Sequence, residues 1–287
     1  GDHPMTWGVG PRSFWCSALP SALVAVLCLV RPAPIADLER RVADVMARAV
    51  PARAPTGKVL ILDVDERSLA AVGQWPWPRA RVAELIARVL ALGADVVALD
   101  VVFAEPERVR DGVVPTATLA HAVASPRVVL GYAVRFDAEA QATGCGRRTM
   151  NVAVRQLGGS DDSAPLFHGG ATVCNTPDLD AAARASGFLN AAPDPDGVLR
   201  RVPLVIDVQG RPSPSLALAA VGTALGVDAA VLEATHAHAS RLRLLGDAAS
   251  PHRRDAPLRL DGRANLLVRY RGPKRTIAHV SAADVFT

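Results

Sequence analysis

Two aspartates one residue apart, Asp63 and Asp65, stand at the end of a short apolar run, Val59–Asp63 (VLILD), and Asp100 lies near the end of a second, Asp95–Phe103 (DVVALDVVF). An open parallel sheet places its ligands beyond the carboxyl ends of its strands, so three such carboxylates are candidates for one site. In a phosphatase, a strand-end Asp-x-Asp supplies nucleophile and acid around Mg²⁺. That chemistry also requires a downstream lysine and an acidic pair behind another apolar strand. Lys274 is the sole lysine after Lys58, and Asp161–Asp162 follow Gly158-Gly159-Ser160 with no strand ahead of them. The phosphatase reading with Asp63 and Asp65 is therefore poorly supported. The simpler role for Asp65 is the N-cap of a helix opening at Glu66-Arg67-Ser68-Leu69, a contact worth about 1 kcal/mol.

Trp75-Pro76-Trp77-Pro78-Arg79 is conspicuous in a chain with only 4% aromatic residues. Two prolines restrict the backbone, so both indoles are held in a turn ahead of the following helix. As a site, the turn would be a rigid aromatic wall with the Arg79 guanidinium offered to an anion. As structure, it would be a packing plug over the sheet edge, and that reading has the advantage. If Asp65, Trp75, Trp77, Arg79 and Asp100 do form a site, they line one crevice at the carboxyl edge of the sheet.

Other chemistry is hard to assemble. The four cysteines fall into Cys16 and Cys28, inside an apolar segment, and Cys145 and Cys174, later in the chain. None has zinc-site spacing. Free thiols are the expected state of the later pair, with Cys145–Cys174 the one plausible disulfide if the domain is exported. His236 and His238 would point the same way on a strand, but no third ligand accompanies them. No metal and no cofactor are called for. The net charge is +4, and Arg147–Arg148, Arg200–Arg201 and Arg253–Arg254 are isolated pairs, so nothing resembles a nucleic-acid footprint.

The elements that must position these residues are legible in part. Ala80–Leu92 is an amphipathic helix with Val82, Leu85, Ile86, Val89 and Leu90 on one face and Gly93 as its stop. It lies between the two apolar runs, so strand, helix and strand predict a βαβ unit. Leu119–Ala124 and Val128–Val134 repeat helix then strand. Phe136–Thr176 lacks periodicity and reads as a long excursion with one strand at most. Leu199–Val208 with Gly210 reads as an antiparallel ribbon, Ser215–Leu225 as a helix stopped by Gly226, His236–Asp261 as irregular, and Ala264–Tyr270 as a last strand. The expected fold class is α/β, a layered sandwich with a mainly parallel sheet.

At the N-terminus, Phe14–Val30 carries no charge and is flanked by Arg12 and Arg31. It sits at the short end of the roughly 17–25 residues that span a bilayer. Trp7 and Trp15 at one edge favour a retained transmembrane anchor over a cleaved signal or a buried helix. Arg31, Arg40, Arg41 and Arg48 follow it and only Arg12 precedes it, a balance that by itself puts the following side in the cytoplasm. Ile35–Val50 reads as an amphipathic stalk helix, and Pro51–Gly57 as a linker. The expected organisation is a tail over 1–13, an anchor over 14–30, stalk and linker over 31–57, and one domain over 58–287.

Three stretches carry a family resemblance: Val59–Glu105 with its WPWPR string; Ala185–Leu204 (ASGFLNAAPDPDGVLRRVPL) with Pro214-Ser215-Leu216-Ala217-Leu218; and Leu267–Val285 (LVRYRGPKRTIAHVSAADV). Together they closely resemble the type-two CHASE domain. The resemblance implies an extracellular or periplasmic sensor behind an N-terminal transmembrane helix, against the arginine count. It also implies further membrane helices and a cytoplasmic adenylate or guanylate cyclase or histidine kinase outside this chain. The resemblance places a further Gly-rich strand of the family beyond Thr287, which implies a domain truncated at its C-terminus. On this reading the chain is not itself an enzyme. Its partners are an unknown small-molecule or environmental signal, the membrane, and a second copy through the stalk helix, and no family binding residue is carried over.

Overall fold

The computed structural model describes residues 32–107, 116–137, 149–157, 166–235, 239–246 and 257–287, with isolated positions between 20 and 30. Two compact units emerge. The first joins the described part of 1–56 to Arg269–Thr276 and contains helix α1, Ala33–Ala49. The periodicity of Ile35, Leu38, Val42, Val45 and Met46 forms this helix as expected, and none of its residues is buried. Most of the expected anchor over 14–30 lies outside the described residues. Among the described residues no helix is long and apolar enough to cross a membrane.

The second unit, 57–268 with 277–287, carries the layered α/β core. Strand β1 (Leu60–Asp63) leads into α2 (Glu66–Val72) and α3 (Arg79–Ala91), then β2 (Val97–Leu99). Helix α4 (Thr116–Val123) crosses to β3 (Val128–Arg135), which pairs in parallel with β2 on one side. On its other side β3 pairs in parallel with β7 (Ala185–Phe188), reached through α5 (Pro177–Ala182). The core between this sheet and its helices is built from Trp77, Val82, Ile86, Phe103, Leu119, Val123, Val128, Leu130 and Leu179. These apolar positions of α3 and α4 are the ones their helical spacing marks, because only one stripe of each helix can face the sheet.

The βαβ expectation is corrected at its first step. Among the described residues β1 does not pair with β2; its partner is β15 (Ala278–Ser281), parallel, with Leu60 opposite Ala278 and Asp63 opposite Ser281. Only Val97–Leu99 of the apolar run 95–103 is strand, and β3 takes its edge. The parallel strand–helix–strand unit expected from β1 to β2 is formed one step later, from β2 through α4 to β3.

Outside that sheet the architecture is mixed. In the 136–176 region, where one strand at most is expected, the structure has β4 (Asn151–Leu157), β5 (His168–Gly169) and β6 (Ala171–Val173). The expected ribbon is the hairpin of β9 (Val205–Val208) and β10 (Arg211–Pro214), preceded by β8 (Arg201–Pro203). Gln209 and Gly210 both have positive φ (55° and 77°), the two-residue turn that matches the strand twist. Ser215 caps α6 (Leu216–Leu225) by accepting from Leu218 N, and Gly226 ends it in the left-handed conformation. Gly187 lets the start of α6 lie directly on β7, since a Cβ there would sit 2.6 Å from Leu216 backbone atoms.

Of the region 236–261, the described residues 239–246 and 257–261 are strand rather than irregular for most of their length. Strands β11 (Ala229–Thr235), β12 (Ala239–Leu245) and β13 (Leu258–Asp261) join β4 in a four-stranded sheet of order β13-β12-β11-β4. Its inner face packs Val152, Leu232, Leu242 and Leu260 against Leu204, Val205 and Leu218. Strand β14 (Asn265–Leu267) pairs with β8, and α7 (Ala283–Phe286) follows β15. "Mainly parallel" therefore describes the β2-β3-β7 sheet but not the molecule, where antiparallel β9–β10, β11–β12, β12–β13, β8–β14 and β3–β6 pairs balance the parallel ones. Hairpin-spaced strands can only pair antiparallel, as β9–β10 and β11–β12 do, whereas β12–β13, β8–β14 and β3–β6 come together across longer stretches of chain.

Candidate functional site

The carboxyl ends of β1 and β15 meet in a polar cluster. Asp65 is the N-cap of α2: its Oδ1 accepts from Ser68 N at 3.0 Å, from Ser68 Oγ at 2.8 Å and from Ser281 Oγ at 2.6 Å. Ser68 is fully buried, and its Oγ in turn accepts from Ala283 N at 3.1 Å. One residue pair back, Asp63 Oδ2 lies 2.5 Å from His279 Nδ1, while the Asp63 carbonyl accepts from Ala282 N at 2.8 Å. Farther out, Arg67 pairs with Asp284 at 2.6 Å, and Arg88 donates to the carbonyls of Val285 and Phe286. Residues 279–286 are thus clamped to β1, α2 and α3 by side chains from all three.

The electrostatics fit a clamp rather than a reacting group. The Ser281 hydroxyl above all, then the Ser68 N–H and hydroxyl, hold the Asp65 carboxyl down at about 2. A carboxylate that acidic is a weak base, and an oxygen already receiving three hydrogen bonds is a weak nucleophile. Asp65 in this arrangement fixes the entry of α2 and the course of β15.

The tryptophan turn divides. Trp77 is 4% exposed; its Nε1 donates to the Gly73 carbonyl at 2.7 Å, and its ring meets Phe286 edge-on at 6.0 Å. Trp75 is 39% exposed and touches Trp77 edge-on at 5.7 Å. Arg79 is 8% exposed, with its guanidinium 4.3 Å over the Phe103 ring and its Nη2 donating to the Glu105 carbonyl at 2.6 Å. Its backbone N–H donates to the Glu107 carboxylate at 3.1 Å. Burial pushes the Arg79 guanidinium pKa down, and the nearby Glu107 charge opposes that shift. The arginine fork is thus taken up by the segment that follows β2. Asp100 is exposed and makes no hydrogen bond or ion pair among the described residues.

Of the five residues expected in one crevice, the structure brings Trp75 to Trp77, and Trp77 and Arg79 both to Phe103's core. It does not join Asp65 to that group through any hydrogen bond, since the Asp65 partners are Ser68 and Ser281. A groove of about 450 Å³ lies elsewhere, between α3 and α4, lined mainly by Ala83, Ile86, Ala87, Leu90 and Ala122. His279 and Ser281 are the residues missed by reading the sequence. Their spacing, two apart before Ala282-Ala283-Asp284, puts both on one side of a strand that runs into a helix, a signal that was available. His236, His238 and Cys145 lie outside the described residues. Cys174 is disulfide-bonded, which corrects the expected free thiol; its partner also lies outside the described residues. Thiols pair when export brings them to an oxidising compartment, and spacing alone does not report that.

Comparison with known proteins decides the family. The CHASE2 domain family matches residues 22–287, nearly the whole chain and both units of the structure. The chain belongs to the CHASE2 domain family. CHASE2 is a sensor-domain family linked to signal transduction and is not catalytic. No curated protein and no solved structure matches the chain. The CHASE2 match spans both the β1–β15 clamp and the Trp75–Arg79 turn.

Proposed function

We propose that this chain is the extracytoplasmic sensing part of a bacterial transmembrane receptor that regulates a cytoplasmic nucleotide cyclase or histidine kinase. The observation that carries this reading is the CHASE2 match over residues 22–287. The disulfide at Cys174 supports an oxidising compartment for the second unit. In this proposal the β1–β15 ladder is the transmitting element. It holds the first and last strands of the second unit side by side, so a change at one is felt at the other through Asp63–His279 and Asp65–Ser281. A signal molecule at this end of the domain would touch Trp75 and Asp100, the solvent-facing members of the expected set, with Trp77 backing Trp75 edge-on. Helix α1, with its apolar stripe facing solvent, pairs with a second copy.

Topology is the test. Alkaline phosphatase joined after Thr287 is expected to be active, and a green fluorescent protein joined there dark. The reverse pattern would overturn the extracytoplasmic reading outright.

A further inference from the structure

The outer face of the β13-β12-β11-β4 sheet concentrates arginine in a way the linear sequence hides. Alternation buries Ala230, Leu232, Ala234, Leu242 and Leu260, so their neighbours in sequence face out. The register then sets Arg155 on β4 opposite Glu233 on β11, Glu233 opposite Arg241 on β12, and Arg241 opposite Arg259 on β13. Arg243, one step along β12, faces the same way, and its Nε lies 3.3 Å from Glu233 Oε1. Arg155, Arg241 and Arg243 therefore flank one carboxylate, and Arg259 stands one strand beyond Arg241. That carboxylate is engaged by Arg243, and its side chain is only 15% exposed. Arg155, Arg241 and Arg259 are exposed, and their side chains have no hydrogen bond or ion pair among the described residues. Among the described residues the other acid on this face is Asp261, which accepts from the N–H groups of Arg263 and Asn265 and from the Asn265 amide and lies 3.8 Å from Arg201 Nε.

Such an arrangement works against the fold. Like charges directly opposite on neighbouring strands are destabilising, and Arg241 and Arg259 are direct partners. Nothing in the sheet's own packing needs them, because the inner residues supply the core.

We propose that this face binds a soluble phosphate-bearing polyanion through Arg155, Arg241, Arg243 and Arg259. A planar carboxylate fills one guanidinium fork, whereas a phosphate has oxygens enough for two forks at once, which is what a facing pair of arginines presents. The row crosses successive strands at a spacing of about 4.8 Å, so its charges fall on a line. A line suits linked phosphates on one small chain better than separate lipid headgroups spread over a membrane. The site stands on the register and charge of the second unit alone and is independent of the sensor reading.

The test is isothermal titration of the full chain with sodium tripolyphosphate at fixed ionic strength, with sodium sulfate as the control anion. Binding is expected that weakens as salt rises and that sulfate at matched ionic strength does not reproduce. The double variant R241Q/R259Q should bind at least tenfold more weakly, with a melting temperature equal to or above the parent's, since a like-charge pair is removed. E233Q should bind more tightly, because it frees Arg243, and R211Q on the β9–β10 hairpin should change nothing. Absence of tripolyphosphate binding, or equal affinity in R241Q/R259Q and the parent, overturns the site. Salt-sensitive binding to phosphatidylglycerol vesicles lost in R241Q/R259Q, without tripolyphosphate binding, overturns the soluble ligand and assigns the face to a membrane.

Discussion

Replacing Trp77 decides whether the WPWPR turn is a packing element or a ligand wall. In the structure its indole is 4% exposed, lies among Val82, Ile86, Phe103 and Leu119, and donates from Nε1 to the Gly73 carbonyl at 2.7 Å. Trp77→Ala removes the ring and leaves a cavity, a change that costs about 3–5 kcal/mol in well-packed cores. The Gly73 hydrogen bond adds about 1 kcal/mol, for a total of about 4–6 kcal/mol. Against a domain stability of about 5–15 kcal/mol this brings the variant near its unfolding threshold. Trp77→Phe keeps much of the volume, loses the N–H donor and the second ring, and should cost about 1.5–3 kcal/mol. Urea unfolding followed by circular dichroism measures both. With a slope of about 3 kcal/mol/M for a chain of this size, Trp77→Phe should lower the midpoint by about 0.5–1 M. If Trp77→Ala cost less than about 1 kcal/mol, the ring would not be holding the core, and the packing argument built on its burial would be wrong.

Two further outcomes follow from the clamp and the stalk. The hydrogen bonds from Ser281 and Ser68 hold the Asp65 carboxyl down at about 2 in the folded chain, below the ordinary aspartate value of 3.8. Its contribution to stability is therefore complete above about pH 4 and is lost as pH falls through about 2. Asp65→Asn and Ser281→Ala should each be less stable than the parent at pH 7, with the difference shrinking over that window; a difference that stays constant down to pH 2 refutes the assignment. In α1, Ile35, Leu38, Val42, Val45 and Ala49 follow a heptad spacing, with β-branched Ile35 and Val42 at one core position and Leu38 and Val45 at the other, which suits the proposed parallel pair. An antiparallel pair would set Arg41 against Arg41 and Glu39 against Glu39, so the charges also select the parallel arrangement. L38E/V45E is expected to convert a dimer to a monomer in sedimentation velocity, and an unchanged sedimentation coefficient rules out the stalk interface.

The elements with strong local signals were readable from the residues alone. The spacing in Ile35–Val50 and Ala80–Leu92, the Ser215 and Asp65 caps and the Gly226 stop each depend on contacts within one turn of helix, so their neighbours in sequence are their neighbours in space. The family resemblance rested on strings such as WPWPR, which survive as text whatever they pack against. Asp65 was legible as a cap for the same reason, and Trp77 as packing because so few positions in this chain could be aromatic by accident. What the tertiary structure decided was pairing. Strand β1 takes β15 and not β2, although more than two hundred residues separate them, because Asp65, Ser68 and Ser281 close a hydrogen-bonded cluster that only three-dimensional approach creates. Strands β11, β12 and β13 alternate Leu with Arg or Glu over spans too short to outweigh the polar loops around them, and only their register turned scattered arginines into one charged face. The same holds for Arg79: its type and position suggested an anion fork, but the fork's partner, the backbone at Glu105 with the ring of Phe103, arrives from another element. Local interactions are written in neighbouring residues, while the choice among long-range partners is made by which buried polar groups can all be satisfied at once.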